Sequence, residues 1–160
     1  MNLNIGGGSQ KIGGYINVDL CPEADVKHDL RNPLPFEDNS VEDILAIHVI
    51  ESFYQWEFPK ILADWYRVLQ KGAGILIEFT VLTDTINMYR NEDSTLKQRG
   101  HWGLYGRQDI EIDPIVLHHY VYEIDELENL LKKVGFSDIS FSREDINHVP
   151  ERDCRVRAFK

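Results

Sequence analysis

The chain has 160 residues, 42% hydrophobic and 28% charged, which is the composition of an ordinary folded domain. Its formal net charge of -10 excludes a generally basic surface, and with it sequence-independent binding along a nucleic-acid backbone. There is no apolar run long enough for a membrane span and no basic start with an apolar stretch as in a signal peptide; Cys21 and Cys154 are too few for a disulfide framework, so a cytoplasmic protein is expected.

Strand-like runs alternate with amphipathic helical runs, the pattern of an α/β sheet. Residues 3–5 predict a first strand that stops at Gly6-Gly7-Gly8. Residues 15–18 predict a second, ending at Asp19. The nine residues between them are too few for a crossover helix, so the first helix is expected to be missing or reduced to a turn. Residues 26–30 predict a short third strand and 43–48 a buried fourth. Over 56–69, Ile61, Leu62, Trp65, Val68 and Leu69 recur at helical spacing, Pro59 falls in the first turn, and Lys71-Gly72-Ala73-Gly74 supplies the stop. Residues 75–79 predict a fifth strand, and 83–96 a helix or a lid. The stretch 100–114, carrying His101, Trp102, Tyr105 and Arg107, reads as irregular. Residues 125–134 predict a helix with Leu127, Leu130, Leu131 and Val134 inward and Gly135 as its stop; 136–141 and 154–159 predict a closing strand pair.

A glycine turn after a first strand lets backbone N–H groups approach a ligand, and an acidic residue ending the second strand can hold both hydroxyls of a ribose. Gly6-Gly7-Gly8 and Asp19 meet both needs, at the edge where open parallel sheets bind ligands. Further motifs follow in order. Asp29-Leu30 ends the third strand, and Leu34-Pro35-Phe36-Glu37-Asp38-Asn39-Ser40 precedes the fourth. His48-Val49-Ile50-Glu51 follows the fourth strand, and Arg67-Val68-Leu69-Gln70-Lys71-Gly72 closes the helix.

This ordered set resembles the class I S-adenosylmethionine-dependent methyltransferases, specifically their small type-11-like group, closely over residues 2–80. The resemblance implies one methyltransferase domain over residues 1–160 with S-adenosylmethionine as its cofactor. The implied fold is a Rossmann-like, seven-stranded, mostly parallel sheet with one antiparallel strand and helices on both faces. Carried over by position, Gly6, Gly7 and Gly8 flank the methionine part and the ribose, and Asp19 holds the ribose hydroxyls with Leu20 beside it. Asp29 accepts from the adenine amino group, Leu30 lies beside the adenine, and His48 stands near the sulfonium and the acceptor. Asn4 replaces an acidic residue common in the family and is expected to bond the methionine amine without charge. Gly7 replaces a common cysteine.

Methyl transfer places an acceptor lone pair in line behind the methyl group, and a hydroxyl acceptor also needs a general base. His48 leads the candidates, weighed evenly against a histidine that merely caps the strand. Glu51, His101, Tyr105, His118 and His119 stand behind it. For His101 and Tyr105 the competing reading is a surface loop, and for His118 and His119 a core histidine. The six histidines lack zinc-ligand spacing, so no metal is expected. A nicotinamide dehydrogenase would need a third glycine opening a helix, where this chain has Lys11. A non-catalytic cofactor-binding or interaction module is the main alternative. The chain begins at its first strand, so the expected lack of an N-terminal cap fits an open site for a large acceptor, a homodimer that closes the site, or lost catalysis. A small or saccharide-like acceptor follows from the resemblance alone, and neither a nucleic acid nor a membrane is expected as a partner.

Overall fold

A computed structural model describes residues 1–108 and 117–160. Seven strands form one sheet: β1 (Asn2–Ile5), β2 (Tyr15–Asp19), β3 (Val26–Lys27), β4 (Val41–Ile47), β5 (Leu69–Thr80), β6 (Ser137–Ser142) and β7 (Asp153–Phe159). Their spatial order is β3-β2-β1-β4-β5-β7-β6. β7 runs antiparallel to both neighbours, and every other pairing is parallel. This is the expected mostly parallel sheet with one reversed strand.

The register shows how the core forms. Leu3, Ile44, Ile75 and Ala158 align across four strands, and Ile5, Ala46, Ile77 and Val156 form the next row. All eight are fully buried. Because side chains alternate along a strand, both rows project from one face. Two helices cover that face: α1 (Phe58–Val68), through Phe58, Ile61, Leu62, Trp65 and Val68, and α4 (Ile124–Val134), through Leu127 and Leu131. Both crossovers, β4 to β5 and β5 to β6, move the chain in the same direction across the sheet. Right-handed crossovers moving one way lie on one side, and α1 and α4 do touch. The connections that step the other way, residues 6–14 and 20–25, contain no helix. The loss of the expected first crossover helix thus extends to the second. The opposite face carries Tyr15, Leu45, Leu76 and Arg157, all partly exposed, beside the buried Asn4, Asn17 and Glu78. Among the described residues, no helix is long and apolar enough to cross a membrane.

Trp65 is fully buried and meets Phe53 and Phe58 edge-on. Trp65→Ala should cost about 3–5 kcal/mol in chemical denaturation, the range for emptying an aromatic core site.

Two local expectations are corrected. Residues 71–74 do not form a helix stop. β5 begins at Leu69, and its register against β4 slips between the Val41–Leu69 and Asp43–Gly74 pairs. The extra residues pair with the C-terminus instead, Gly72 N donating to Lys160 O and Lys160 N to Ala73 O. The stretch after residue 94 is also helical, as α3 (Ser94–Tyr105), which pairs with α2 (Leu82–Tyr89). Its glycines mislead because they serve packing. A Cβ on Gly100 would strike the Tyr89 backbone, and one on Gly103 would strike Thr85 and Arg152. Asp93 caps the helix start by accepting from Thr95 N and Leu96 N, and Gly106 at φ 74° ends it. Residues 109–114 of the stretch expected to be irregular lie outside the described residues.

Candidate functional site

From β1 the chain steps to β2 on one side, while β4 lies on the other, so the C-terminal ends of β1 and β4 border a topological switch point. The glycine turn sits there. Gly6 and Gly8 have φ of 69° and 56°, which glycine adopts without strain. Gly6 N donates to Val18 O, and Gly8 N donates to Asp19 Oδ2 at 2.9 Å. The other Asp19 oxygen accepts from Cys21 N at 2.8 Å. Turn and carboxylate are thus locked together at the mouth of a cavity of about 490 Å³.

Gly6, Gly8, Asp19, Leu20, Asp29, Leu30 and His48 all line this cavity. Asn4 and Gly7 do not. Asn4 is buried, and its amide nitrogen donates to Asn17 Oδ1 and Gln10 O, which leaves its Oδ1 as the atom that could meet an amine. The same packing explains Gly7: a Cβ there would collide with the Asn4 and Asn17 side chains. The walls also include residues that sequence reasoning missed, among them Arg31, Val49 and Phe53. Arg31 forks onto Asp29, with Nε to Oδ1 at 2.9 Å and Nη2 to Oδ2 at 2.8 Å. This guanidinium holds the Asp29 carboxyl below its usual range. Its signal was local, two residues beyond Asp29. Val49 and Phe53 bracket the short 3-10 turn Ile50–Ser52, whose apolar pattern alone could not be told from core.

His48 follows β4 with φ 49°, a left-handed conformation rare for a histidine. Its Nδ1 lies 3.3 Å from Glu51 Oε1. Its Nε2 lies 3.4 Å from Glu78 Oε1 and 3.2 Å from Asp153 Oδ2. Both ring nitrogens face carboxylates, a setting that favours the protonated imidazolium. Arg155 and Asn147 also donate to Glu78, and Arg152 and Val149 to Asp153. Three carboxylates meet two guanidiniums, and the His48 imidazolium supplies the remaining positive charge. Burial alone would pull its pKa down, but Asp153, Glu51 and Glu78 outweigh that and raise it to about 11. Burial likewise opposes ionisation of Glu51 and Asp153, yet the bond to His48 helps bring each down to about 2.

An imidazolium has no lone pair to accept a proton, so this cluster favours a positioning role for His48 over that of general base. His48, Glu78 and Asp153 also bring three potential ligand atoms within 4.8 Å. A dication on a neutral imidazole would leave excess positive charge in this buried cluster, whereas one proton balances it.

The other candidate bases are not gathered here. His101 lines a second cavity, of about 590 Å³, that shares no residue with the first, and Tyr105 is half exposed and tilted against His101. Both lie on α3, not in a loop. His118 Nδ1 lies 2.8 Å from Gly103 O, and His119 stacks on Tyr54 at 4.3 Å. Glu51 is fully buried. Trp56, 76% exposed, stacks on the other neighbour of that group, Tyr54, so Trp56, Tyr54 and His119 make an exposed aromatic array just after the cavity wall.

A family model described as a methyltransferase domain matches residues 11–77. No curated protein matches the chain. Among solved structures, an S-adenosylmethionine-dependent methyltransferase from Archaeoglobus fulgidus is 19% identical with a TM-score of 0.66, over 99% of this chain and 85% of that one. One from Methanosarcina mazei is 18% identical with a TM-score of 0.67, over 99% and 91%. Phosphoethanolamine N-methyltransferase 2 from Haemonchus contortus, solved with phosphomonomethylethanolamine and S-adenosylhomocysteine, is 15% identical with a TM-score of 0.61, over 99% and 48%. The domain match over residues 11–77 and the shared fold are what this chain has in common with S-adenosylmethionine-dependent methyltransferases.

Proposed function

We propose that residues 1–160 act as one domain that holds S-adenosylmethionine in the cavity at the switch point and methylates a small, saccharide-like acceptor. The observation that carries this reading is the Gly6–Gly8 turn bonded to Asp19 at the cavity mouth. The residues present fit the cofactor. The turn offers a surface without side chains, the Asp19 oxygens keep lone pairs for two hydroxyls, and Leu20, Leu30, Val49 and Phe53 provide apolar wall for an adenine. When bound, the cofactor supplies a methyl group made electrophilic by its sulfonium. Asp29, already charged against Arg31, takes the adenine amino group. His48 braces the strand ends beside the methyl-bearing end.

The acidic chain disfavours a polyanionic acceptor, and the exposed Trp56–Tyr54–His119 array offers flat faces to the C–H side of a sugar ring. The Haemonchus neighbour acts on a small acceptor too, though through nitrogen. The free thiols of Cys21 and Cys154 suit a reducing cytoplasm.

Titration calorimetry with S-adenosylmethionine and S-adenosylhomocysteine tests the reading. The folded chain should bind both, and Asp19→Ala should weaken binding by about 30-fold or more, the loss of two charge-assisted hydrogen bonds. A folded chain that binds neither compound sinks the proposal. Binding without turnover on any acceptor would favour the non-catalytic module.

A further inference from the structure

We propose that His148 is the general base of this site and that the acceptor atom it serves is a hydroxyl oxygen. The inference rests on the cofactor reading above. His148 lies in the loop between β6 and β7, and its ring stacks face to face on His48, with centroids 4.3 Å apart and planes within 9°. His48 lines the cofactor cavity, and His148, which is not itself part of that lining, is the ring stacked on it.

The loop is built to hold it there. Asn147, just before it, donates its backbone N–H to Glu78 Oε1 at 3.0 Å and its side-chain amide to Oε2 at 3.1 Å. Val149, just after it, donates its N–H to Asp153 Oδ2 at 3.0 Å, and Val149 O accepts from Arg152 N and Asp153 N. The carboxylates that clamp His48 thus also clamp the backbone on both sides of His148. His148 itself is half exposed, and neither of its ring nitrogens makes a hydrogen bond among the described residues.

The arrangement divides two tasks between two imidazoles. His48, surrounded by three carboxylates, is held as a cation near neutral pH. Stacked against it, His148 is disfavoured as a second cation. The groups that face His148 are His48, Glu78, Asp153 and Arg152. Burial first, and then repulsion from His48, keep its pKa below the ordinary histidine value, against the opposing pull of Glu78 and Asp153. His148 is therefore neutral at physiological pH and has a lone pair to use. In the proposed step the acceptor oxygen forms a bond to the methyl carbon as the carbon–sulfur bond breaks, its electron pair staying on sulfur to give a neutral thioether. The acceptor's proton passes to the free ring nitrogen of His148. From that exposed ring, and repelled by His48, it leaves to solvent.

The test uses the full chain with isotopically labelled S-adenosylmethionine. The hydroxyl probes are phenol, catechol and a methyl hexopyranoside, and iodide is a nucleophile that has no proton to lose. Wild type should methylate at least one hydroxyl probe, with a rate that rises through an ionisation below the usual histidine range. His148→Gln should cut that rate by about 100-fold or more and remove the pH limb, while leaving iodide methylation and S-adenosylhomocysteine affinity unchanged. The inference is overturned if H148Q keeps the hydroxyl rate, or if wild type binds S-adenosylhomocysteine but methylates none of the hydroxyl probes. Failure of wild type to bind S-adenosylhomocysteine overturns the cofactor reading as well, which separates the two.

Discussion

His48→Asn should lose about 3–5 kcal/mol of stability near neutral pH, the cost of removing one partner from a buried charge cluster. Asparagine tolerates the left-handed backbone at this position, so the loss reports the charge and not the turn. Without the imidazolium, Glu51, Glu78 and Asp153 face only Arg152 and Arg155, and a buried negative charge is left over. The pH dependence gives a second reading. The His48 pKa rises from 6.5 to about 11 on folding, so its contribution is complete below 6.5 and drains away as pH climbs towards 11. Glu51 falls from 4.5 to about 2, and Asp153 from 3.8 to about 2, so their contributions are present above those ordinary values and vanish as pH falls towards 2. Wild-type stability in urea should be flat between the ordinary carboxylate and histidine ranges and decline on both sides. H48N should lose the alkaline decline. An H48N protein that keeps the wild-type profile would show that His48 is not the cation of the cluster.

Gly6→Ala should abolish measurable cofactor binding, a loss of about 100-fold or more if the methyl group both strains the turn and displaces a cavity wall. The φ of 69° costs an alanine about 1–2 kcal/mol, and its Cβ would overlap the Val49 side chain. Val49 lines the cavity, so the collision is resolved at the expense of ligand space or turn geometry. The double variant Gly6→Ala/Val49→Ala separates the two costs. It should recover part of the affinity, because the overlap disappears while the backbone strain stays. Calorimetry with S-adenosylhomocysteine reads both. Wild-type affinity in Gly6→Ala would mean that the ligand does not sit on this turn.

The fold and half of the site were legible because their signals are local. Alternating Leu3/Ile5 and Ile75/Ile77 mark strands, and Ile61, Leu62, Trp65 and Val68 mark the buried stripe of α1. The short path from Ile5 to Tyr15 ruled out a helix by length alone. Gly6, Gly8 and Asp19 lie at strand ends, and strand ends of a parallel sheet converge on one edge, so their grouping at a cavity follows from order along the chain.

What the sequence determined by itself was therefore the set of strands, their parallel sense and the glycine–aspartate edge. Only the tertiary structure decided which way Asn4 turns, why residue 7 has no side chain, and that Gly100 and Gly103 permit close helix packing instead of ending a helix. It alone decided the surroundings of His48, because Glu78, Asp153 and Arg155 come from strands, and Arg152 from the turn before β7, far from residue 48 along the chain. Propensity and hydrophobic period act between near neighbours, whereas a side chain's direction, protonation and neighbours are set by whatever packing brings within a few ångströms.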